Sequence, residues 1–267
     1  MRDIWRIYRR LVGAQVRSEM QYRVSFVAQL SGSFLVTILD LAALLILMSR
    51  FQQMGGWALA EVTLLYGMSS ASLGLADLLA GGFSDFDRLI IRGEFDQYLL
   101  RPLWTGLQLM AAGFRIRRVG RLLQGLAALA LALVLLHAAW DAGRWLFLAV
   151  AVAGGMFIFL AILIAGAASA FWTPQTGEVV NIFTYGGQTM TTYPMHIYQE
   201  WMQIFFTFIL PMAFIDYYPA LYLLRKPDPF GLPGWLPFLA PVLALLAMAA
   251  SLAYWRAGIR RYQSTGS

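Results

Sequence analysis

Residues 145–172 contain no charged side chain, and most of them are Leu, Ile, Val, Ala or Phe. A helix needs about 20 consecutive apolar residues to cross the hydrocarbon core of a bilayer, so this run is long enough to span a membrane. A soluble domain could not cover such runs, because only 13% of the chain is charged where about 25% is usual. The run therefore predicts an integral membrane protein built from helices.

Similar runs recur along the chain and predict an all-α, polytopic fold in which residues 1–267 form a single transmembrane domain. The second run is rich in small residues such as Gly67, Ser70 and Gly74, a composition that lets helices approach closely in lipid. The fifth run is interrupted by Pro211. The six predicted transmembrane helices are residues 24–48, 57–82, 122–140, 145–172, 201–218 and 235–255.

Residues 1–23 alternate arginines with apolar side chains such as Ile4, Ile7 and Leu11 at helical spacing. This pattern predicts an amphipathic helix that lies in the membrane interface, with its arginines at the lipid headgroups. The alternative is a basic flank that only orients the first span. The early arginines and the lack of an apolar core are not typical of a cleaved signal peptide.

Basic residues are concentrated on one side of the predicted spans. With the amino terminus in the cytoplasm, residues 1–23, residues 84–121 and the C-terminal arginines all fall inside. Because cytoplasmic loops of membrane proteins are enriched in Lys and Arg, this orientation is strongly favoured. Both termini are therefore predicted to be cytoplasmic in a multi-pass protein of the inner or plasma membrane. The basic residues left outside are Arg50, Arg144, Arg225 and Lys226.

The chain lacks the side chains that most catalytic sites use. It has no cysteine and two histidines, His137 and His196. Disulfides, thiolate metal sites and cysteine nucleophiles are therefore excluded, and no metal site or catalytic triad is predicted. The arginines flank apolar spans, where lipid headgroups account for them, so nucleic acid is not a predicted partner.

Residues 84–121 form a large polar interval between the second and third spans, and they carry the pattern of two short helices. Asp85 or Asp87 is suited to cap the first helix, and Gly93 is suited to end it. The first helix has an apolar edge at Leu89 and Ile90 that a cytoplasmic protein could contact. A solvated basic loop that only fixes the orientation of the spans is the alternative.

Two acidic residues, Asp40 and Asp77, lie inside the first and second predicted spans. Acids at the bilayer centre cost about 2.5–3.5 kcal/mol on insertion scales, so a proton relay or cation site is one hypothesis. The other is a structural role, with Asp77 near the cytoplasmic end and Asp40 hydrogen-bonded across the bundle. No intramembrane Lys or Arg is predicted to balance them.

Aromatic residues next to prolines flank the fifth predicted span. Tyr193, Tyr198 and Tyr218 could line a route for an amphipathic or aromatic substrate. An interfacial aromatic belt explains the same residues. Residues 173–200, which contain the first two of these tyrosines, have no basic residue that would fix their side of the membrane.

The run 93–103, GEFDQYLLRPL, resembles a signature of type-2 ATP-binding-cassette (ABC) exporter permeases. In the first cytoplasmic loop of one bacterial subfamily the signature is G-x-x-D-x-x-L-L-R-P-L. The matching residues are Gly93, Asp96, Leu99, Leu100, Arg101, Pro102 and Leu103.

The resemblance implies a permease that works with a second, identical or homologous permease and exports a hydrophobic or amphipathic substrate. Two cytoplasmic ATPase subunits would bind ATP and Mg, since this chain lacks the GxxxxGK[ST] phosphate loop. The chain itself would hold no cofactor and would not be an enzyme. An ATP-independent carrier or channel that uses Asp40 and Asp77 is the alternative. The residues implied in ATPase docking are Asp85, Asp87, Leu89, Ile90, Gly93, Glu94, Asp96, Leu99, Leu100, Arg101 and Pro102.

Overall fold

The computed structural model describes most of the chain after residue 52. The predicted first span, with Asp40, lies for the most part outside the described residues. So does much of the predicted interfacial helix, of which residues 12–18 are described and helical. The described residues are 6, 10, 12–18, 21, 27–28, 31–32, 35–36, 39, 42–43, 46, 53–115, 117–173 and 177–263.

A small antiparallel hairpin precedes a bundle of helices. Strand β1 (Gln53–Met54) pairs with β2 (Trp57–Ala58). The α-helices that follow are α1 Leu59–Ala80, α2 Phe86–Ile91, α3 Asp96–Leu99, α4 Thr105–Ala112, α5 Arg117–Leu135, α6 Ala142–Ser169, α7 Gly177–Asn181, α8 Gly187–Thr191, α9 Glu200–Ile204, α10 Tyr217–Leu224 and α11 Ala240–Arg261. Short 3-10 or π-helical turns join several of them, at Gly81–Asp85, Ile182–Gly186, Met195–Ile197, Phe205–Ile209, Met212–Phe214 and Leu236–Leu239.

Four helical stretches of the described residues are long and apolar enough to cross a bilayer. The first continues α1 through a 3-10 turn into α2. A bent pair of shorter stretches, Glu200–Ile209 and Met212–Leu224, would be a fifth if it formed one span. The four stretches are Leu59–Ile91, Arg118–Leu135, Ala142–Ser169 and Leu236–Arg261.

Helix α1 lies at the centre of the bundle and is buried along most of its length. Glycines bring it close to α5. A Cβ atom on Gly74 would lie 2.7 Å from Cα of Leu122, and one on Gly125 would lie 2.2 Å from the backbone N of Ala71. The small residues of the second predicted span therefore contact protein rather than lipid.

Residues 177–191 run antiparallel to α1. At one end, a Cβ atom on Gly177 would lie 2.6 Å from a carboxylate oxygen of Asp87, in the first turn of α2. At the other end, Oγ1 of Thr191 lies 2.6 Å from Oγ of Ser69. Beyond it, Nε2 of His196 lies 2.7 Å from the carbonyl oxygen of Gly55 in the hairpin. The segment whose side the charges left undetermined therefore reaches both ends of α1.

Residues 200–224 differ from the fifth predicted span. They begin after His196, which contacts Gly55, and end before Lys226, whose Nζ lies 2.7 Å from a carboxylate oxygen of Glu61. Both ends of this segment thus lie at the same end of α1, and its two halves meet at an angle of 73°. Pro211 has no N–H and disfavours helical geometry in the preceding residue, so the helix breaks there. Helix α10 follows the break.

The contact between α1 and α5 predicts a position-specific effect of adding a methyl group. Gly74→Ala should lower the melting temperature of the purified protein in detergent, with a loss of about 1–3 kcal/mol from overpacking. Gly154→Ala is the matched control, because its Cβ would meet no atom closer than 3.9 Å. In a helix this second change should be neutral or stabilising by up to about 1 kcal/mol. Equal melting temperatures for the two variants would contradict the close contact.

Candidate functional site

The polar interval folds into a helical hairpin after α1. Helix α2 ends at Ile91, and Gly93 follows with a φ of 68°. The N–H of Gly93 donates to the carbonyl of Ile90 (3.1 Å), and the N–H of Glu94 donates to that of Leu89 (3.0 Å). These two bonds form a Schellman motif, in which glycine adopts a left-handed conformation at low cost. The prediction that Gly93 ends the helix is therefore confirmed.

The inner face of this hairpin is held by an aromatic cluster. Phe86 of α2 lies 5.1 Å from Phe95 between ring centroids, 4.8 Å from Trp255 of α11 and 5.2 Å from Phe171 after α6. Edge-to-face aromatic pairs contribute about 0.5–1.5 kcal/mol each beyond the area they bury. The hairpin is thus fixed to the ends of α6 and α11. The aromatic cluster consists of Phe83, Phe86, Phe95, Phe171, Trp255 and Tyr262.

The outer face of the hairpin carries exposed apolar side chains. Leu100 is 85% exposed and Ile91 is 56% exposed. We call Ile91, Leu99, Leu100 and Trp104 the docking surface; all four are exposed. The predicted anchor Ile90 is not part of it, because Ile90 is only 5% exposed and faces the core, one helical turn from Phe86. Leu89 is half-buried against the same core.

Charged residues surround the docking surface, and several of them pair with one another. Asp85 occupies the N-cap position of α2, but its side chain does not cap the helix. Its carboxylate instead pairs with Arg115 (3.1 Å) and with Arg88 (3.7 Å). Arg92 pairs with Glu94 at 3.8 Å. Such exposed pairs contribute only about 0–1 kcal/mol, so their charges remain available to a partner.

Two further side chains of the predicted set stay close to the hairpin. The Asp87 carboxylate accepts a hydrogen bond from the N–H of Arg88 at 2.8 Å, inside the first turn of α2. Asp96 lies beside Tyr262 of the aromatic cluster. Burial raises the pKa of Tyr262 to about 12, and Asp96 adds to the shift, so the phenol is neutral at physiological pH.

Residues 99–102, LLRP, are held in position by a residue that the sequence analysis did not identify. Gln108 of α4 is buried, and its Nε2 donates to the carbonyls of Tyr98 (2.9 Å) and Leu103 (3.0 Å). Between these carbonyls the chain exposes Leu100, Arg101 and Pro102, and the Arg101 guanidinium lies 5.9 Å from the Tyr98 ring centroid. Gln108 contacts carbonyl groups on both sides of Pro102, and no spacing pattern in the sequence predicts such a contact.

A buried ion pair lies where α1 meets α5. Asp77 is 1% exposed and pairs with the guanidinium of Arg121, which lies 4.7 Å from the ring centroid of Tyr185. The Tyr185 hydroxyl donates to the Asp77 carboxylate at 3.3 Å. The prediction that no basic residue balances Asp77 is therefore wrong. Arg121 was assigned to the loop, but it lies in the second turn of α5 and is within reach of the acid.

Arg118, one turn before Arg121, closes the turn at the end of α1. Its guanidinium donates to the carbonyls of Gly113 (2.6 Å) and Gly81 (2.9 Å). A Cβ atom on Gly81 would lie 1.2 Å from Nη1 of Arg118, so the residue at position 81 has to be glycine for this geometry. The arginines of this interval therefore have structural partners as well as a topological role. The three-residue spacing of Arg118 and Arg121 places both on one face of a helix, and this spacing was the sequence signal for a structural role.

The predicted tyrosine route is not assembled as one feature. Tyr218 is buried and lines a cavity of about 580 Å³, and neither Tyr193 nor Tyr198 is among its lining residues. The Tyr198 hydroxyl donates to the carbonyl of Met190 at 2.9 Å.

Residues 34–266 match the model of a protein family described as ABC-2 family transporter protein. No match was found among curated proteins or among solved structures.

The buried ion pair predicts that substitutions of its two members lower stability by unequal amounts. Arg121→Met leaves the Asp77 carboxylate buried without its cation and should cost about 1–3 kcal/mol. Asp77→Asn should cost less, because Arg121 is partly exposed and can turn toward water. The double variant should be more stable than Arg121→Met alone, as measured by melting temperature in detergent. Strictly additive losses would contradict a direct pair.

Proposed function

The chain belongs to the ABC-2 family of transporter proteins, and on that premise we propose that it is the membrane permease of an ATP-driven exporter. A separate cytoplasmic ATPase, which binds ATP and Mg, contacts the docking surface. The permease moves a hydrophobic or amphipathic compound across the inner membrane together with a second permease.

The observation that carries this proposal is the exposure of the docking surface. Ile91 and Leu100 are exposed apolar side chains, and the opposite face of the same hairpin is buried in the aromatic cluster. Large apolar side chains surrounded by charges are typical of interface hot spots with a polar rim. Arg88, Arg92, Glu94 and Arg101 form that rim.

The connections of the hairpin suit it to transmit movement. Helix α2 continues the stretch Leu59–Ile91 that contains α1. The aromatic cluster joins the same hairpin to Phe171 after α6 and to Trp255 in α11. A push on the docking surface would therefore act on three long helices at once, rather than on a loose loop.

The membrane topology that we propose keeps six spans and both termini inside, but it changes the fifth. Residues 177–198 cross the membrane, since their ends contact opposite ends of α1. Residues 200–224 enter from the outer side and return to it, since both of their ends contact the outer end of α1.

A polar stripe on residues 177–191 supports a translocation pathway at this point. Asn181, Tyr185 and Thr189 follow at intervals of four residues, so they share one helical face. Asn181 and Thr189 are exposed in the single chain. Exposed polar side chains are unfavourable against lipid, so this face suits a pathway or the second permease.

The alternative of an ATP-independent carrier or channel that uses Asp40 and Asp77 has less support. Asp77 is paired with Arg121, and Asp40 lies outside the described residues.

Leu100→Asp should abolish co-purification of the ATPase subunit while leaving membrane insertion intact. A charged side chain at the centre of an apolar contact should cost at least about 2 kcal/mol of binding free energy. Binding is measured by pull-down of the tagged chain from solubilised membranes of cells that also express the partner ATPase.

Phe230→Asp is the control for this experiment, because Phe230 is also exposed and apolar but lies in the outer loop. It should bind the ATPase like the wild type. Undiminished ATPase binding by Leu100→Asp would reject the docking surface.

Single cysteines test the proposed fifth span, because the chain has none of its own. Cysteine in place of Thr173 should react with an impermeant maleimide only from the cytoplasmic side. Cysteine in place of Gln199 should react only from the outer side. Labelling of both from the same side would show that residues 177–198 do not cross.

A further inference from the structure

The bend in residues 200–224 lies deep in the bundle. Ile215 packs against Gly155, where a Cβ atom would lie 2.9 Å from Cγ2 of Ile215, and Gly155 is at the middle of α6. Met212 packs against Gly187 in the same way, at 2.3 Å. We call residues 210–216 the apex. If the two arms enter from the outer end of α1, the apex lies near the middle of the membrane.

The last residue of the apex, Asp216, is a buried acid whose carboxylate lacks normal hydrogen-bond partners. Asp216 is 0% exposed. The backbone N–H of Tyr217 lies near its carboxylate, but neither carboxylate oxygen makes a hydrogen bond of normal geometry. It occupies the N-cap position of α10 but does not cap the helix. Pro219 stands at the third helical position, where an N-cap side chain would usually find an N–H to accept from, and proline has none.

The nearest hydroxyl group cannot compensate a negative charge. Thr191 lies beside Asp216, and its hydroxyl proton is shared between the carbonyl of Gln188 (3.0 Å) and the hydroxyl of Ser69 (2.6 Å). A protonated Asp216 can therefore donate to Oγ1 of Thr191 without disturbing these contacts, whereas an ionised Asp216 would have to draw the Thr191 proton away from the Gln188 carbonyl. That arrangement suits a carboxylic acid, which has an O–H, and not a carboxylate.

No cation of the described residues compensates Asp216 either. Lys226 is paired with Glu61, and Arg121 is paired with Asp77. An ionised carboxylate buried without a partner costs several kcal/mol, so such a group takes up a proton instead. The titratable side chains on the elements around the apex are Glu61, Asp77, Tyr185, Tyr193, His196, Tyr198, Tyr217, Tyr218, Lys226 and Asp228.

We propose that Asp216 is a proton-binding site that holds its proton while the apex is buried and releases it when the apex opens to the outer side. Opening then gives up one proton, so a higher outer pH favours the open state. At pH values between the pKa of the exposed carboxyl and the pKa of the buried carboxyl, the equilibrium constant for opening rises about tenfold per unit of pH. The role of this step in export rests on the proposed function, but the proton site does not.

The protonation is tested on the purified chain by infrared difference spectroscopy near neutral pH. Asp216→Asn should remove a C=O stretching band of a protonated carboxylic acid. Asp228→Asn should leave that band unchanged, because the Asp228 carboxylate accepts N–H bonds from Phe230 (3.2 Å) and Leu232 (3.0 Å) and is suited to the ionised form. The absence of any band that depends on Asp216 would overturn the proposal.

The link to opening is tested with Met212→Cys, which introduces the only thiol, at the buried apex. The full chain is placed in phosphatidylcholine vesicles and labelled from the outer side with an impermeant maleimide. The same cysteine combined with Asp216→Asn corrects for the pH dependence of the thiol itself.

The ratio of the two labelling rates should rise with pH, by up to about tenfold per unit of pH. A ratio that stays constant with pH would overturn the link, even if the infrared band is present. Both measurements use the chain without an ATPase, so they stand apart from a failure of the docking surface.

Discussion

The packing of six aromatic rings at one end of the bundle is the contact on which the rest of the site depends. Helices of four to six residues, such as α2 and α3, are not stable alone, because helix nucleation is unfavourable. Phe86 and Phe95 bury their rings against Phe171 and Trp255, and this burial holds the hairpin in place. Gly258 makes room for it, since a Cβ there would lie 2.2 Å from the Phe171 ring. The exposed docking surface exists only because the opposite face is so firmly packed.

The same end of the bundle is reinforced by polar contacts that would be costly in lipid. Arg118 satisfies carbonyl oxygens at the end of α1, and Arg121 neutralises Asp77. Close helix contacts at Gly74 and Gly125 leave no room for side chains between α1 and α5. Packing, rather than hydrophobic transfer, is what holds helices together in a membrane, so these small residues and buried polar groups provide much of the specificity.

Local sequence patterns predicted some features well and others poorly, for physical reasons. Hydropathy predicted long apolar helices, of which the described residues contain four, and Gly93 marked the end of α2, because both depend on neighbouring residues. Ile90 and Ile91 are equivalent by composition, and only the direction of the aromatic cluster decides which one is buried. The partner of Asp77 lies on another helix and was invisible to spacing. The packing of residues 177–191 against α1 was not predicted either, because the partners of their polar side chains, Ser69 and Ser70, lie on another helix.

The continuous stretch Leu59–Ile91 has 33 residues, or about 50 Å at about 1.5 Å per residue. A hydrocarbon core of about 30 Å therefore leaves its last part, which ends in α2, outside the bilayer. The 3-10 turn at Gly81–Asp85 joins that part to α1, and two glycines begin it. If α2 moves when an ATPase binds, as we propose, a bend at this turn would absorb part of the displacement. The hydrogen bonds from the Arg118 guanidinium to the carbonyls of Gly81 and Gly113 oppose such a bend.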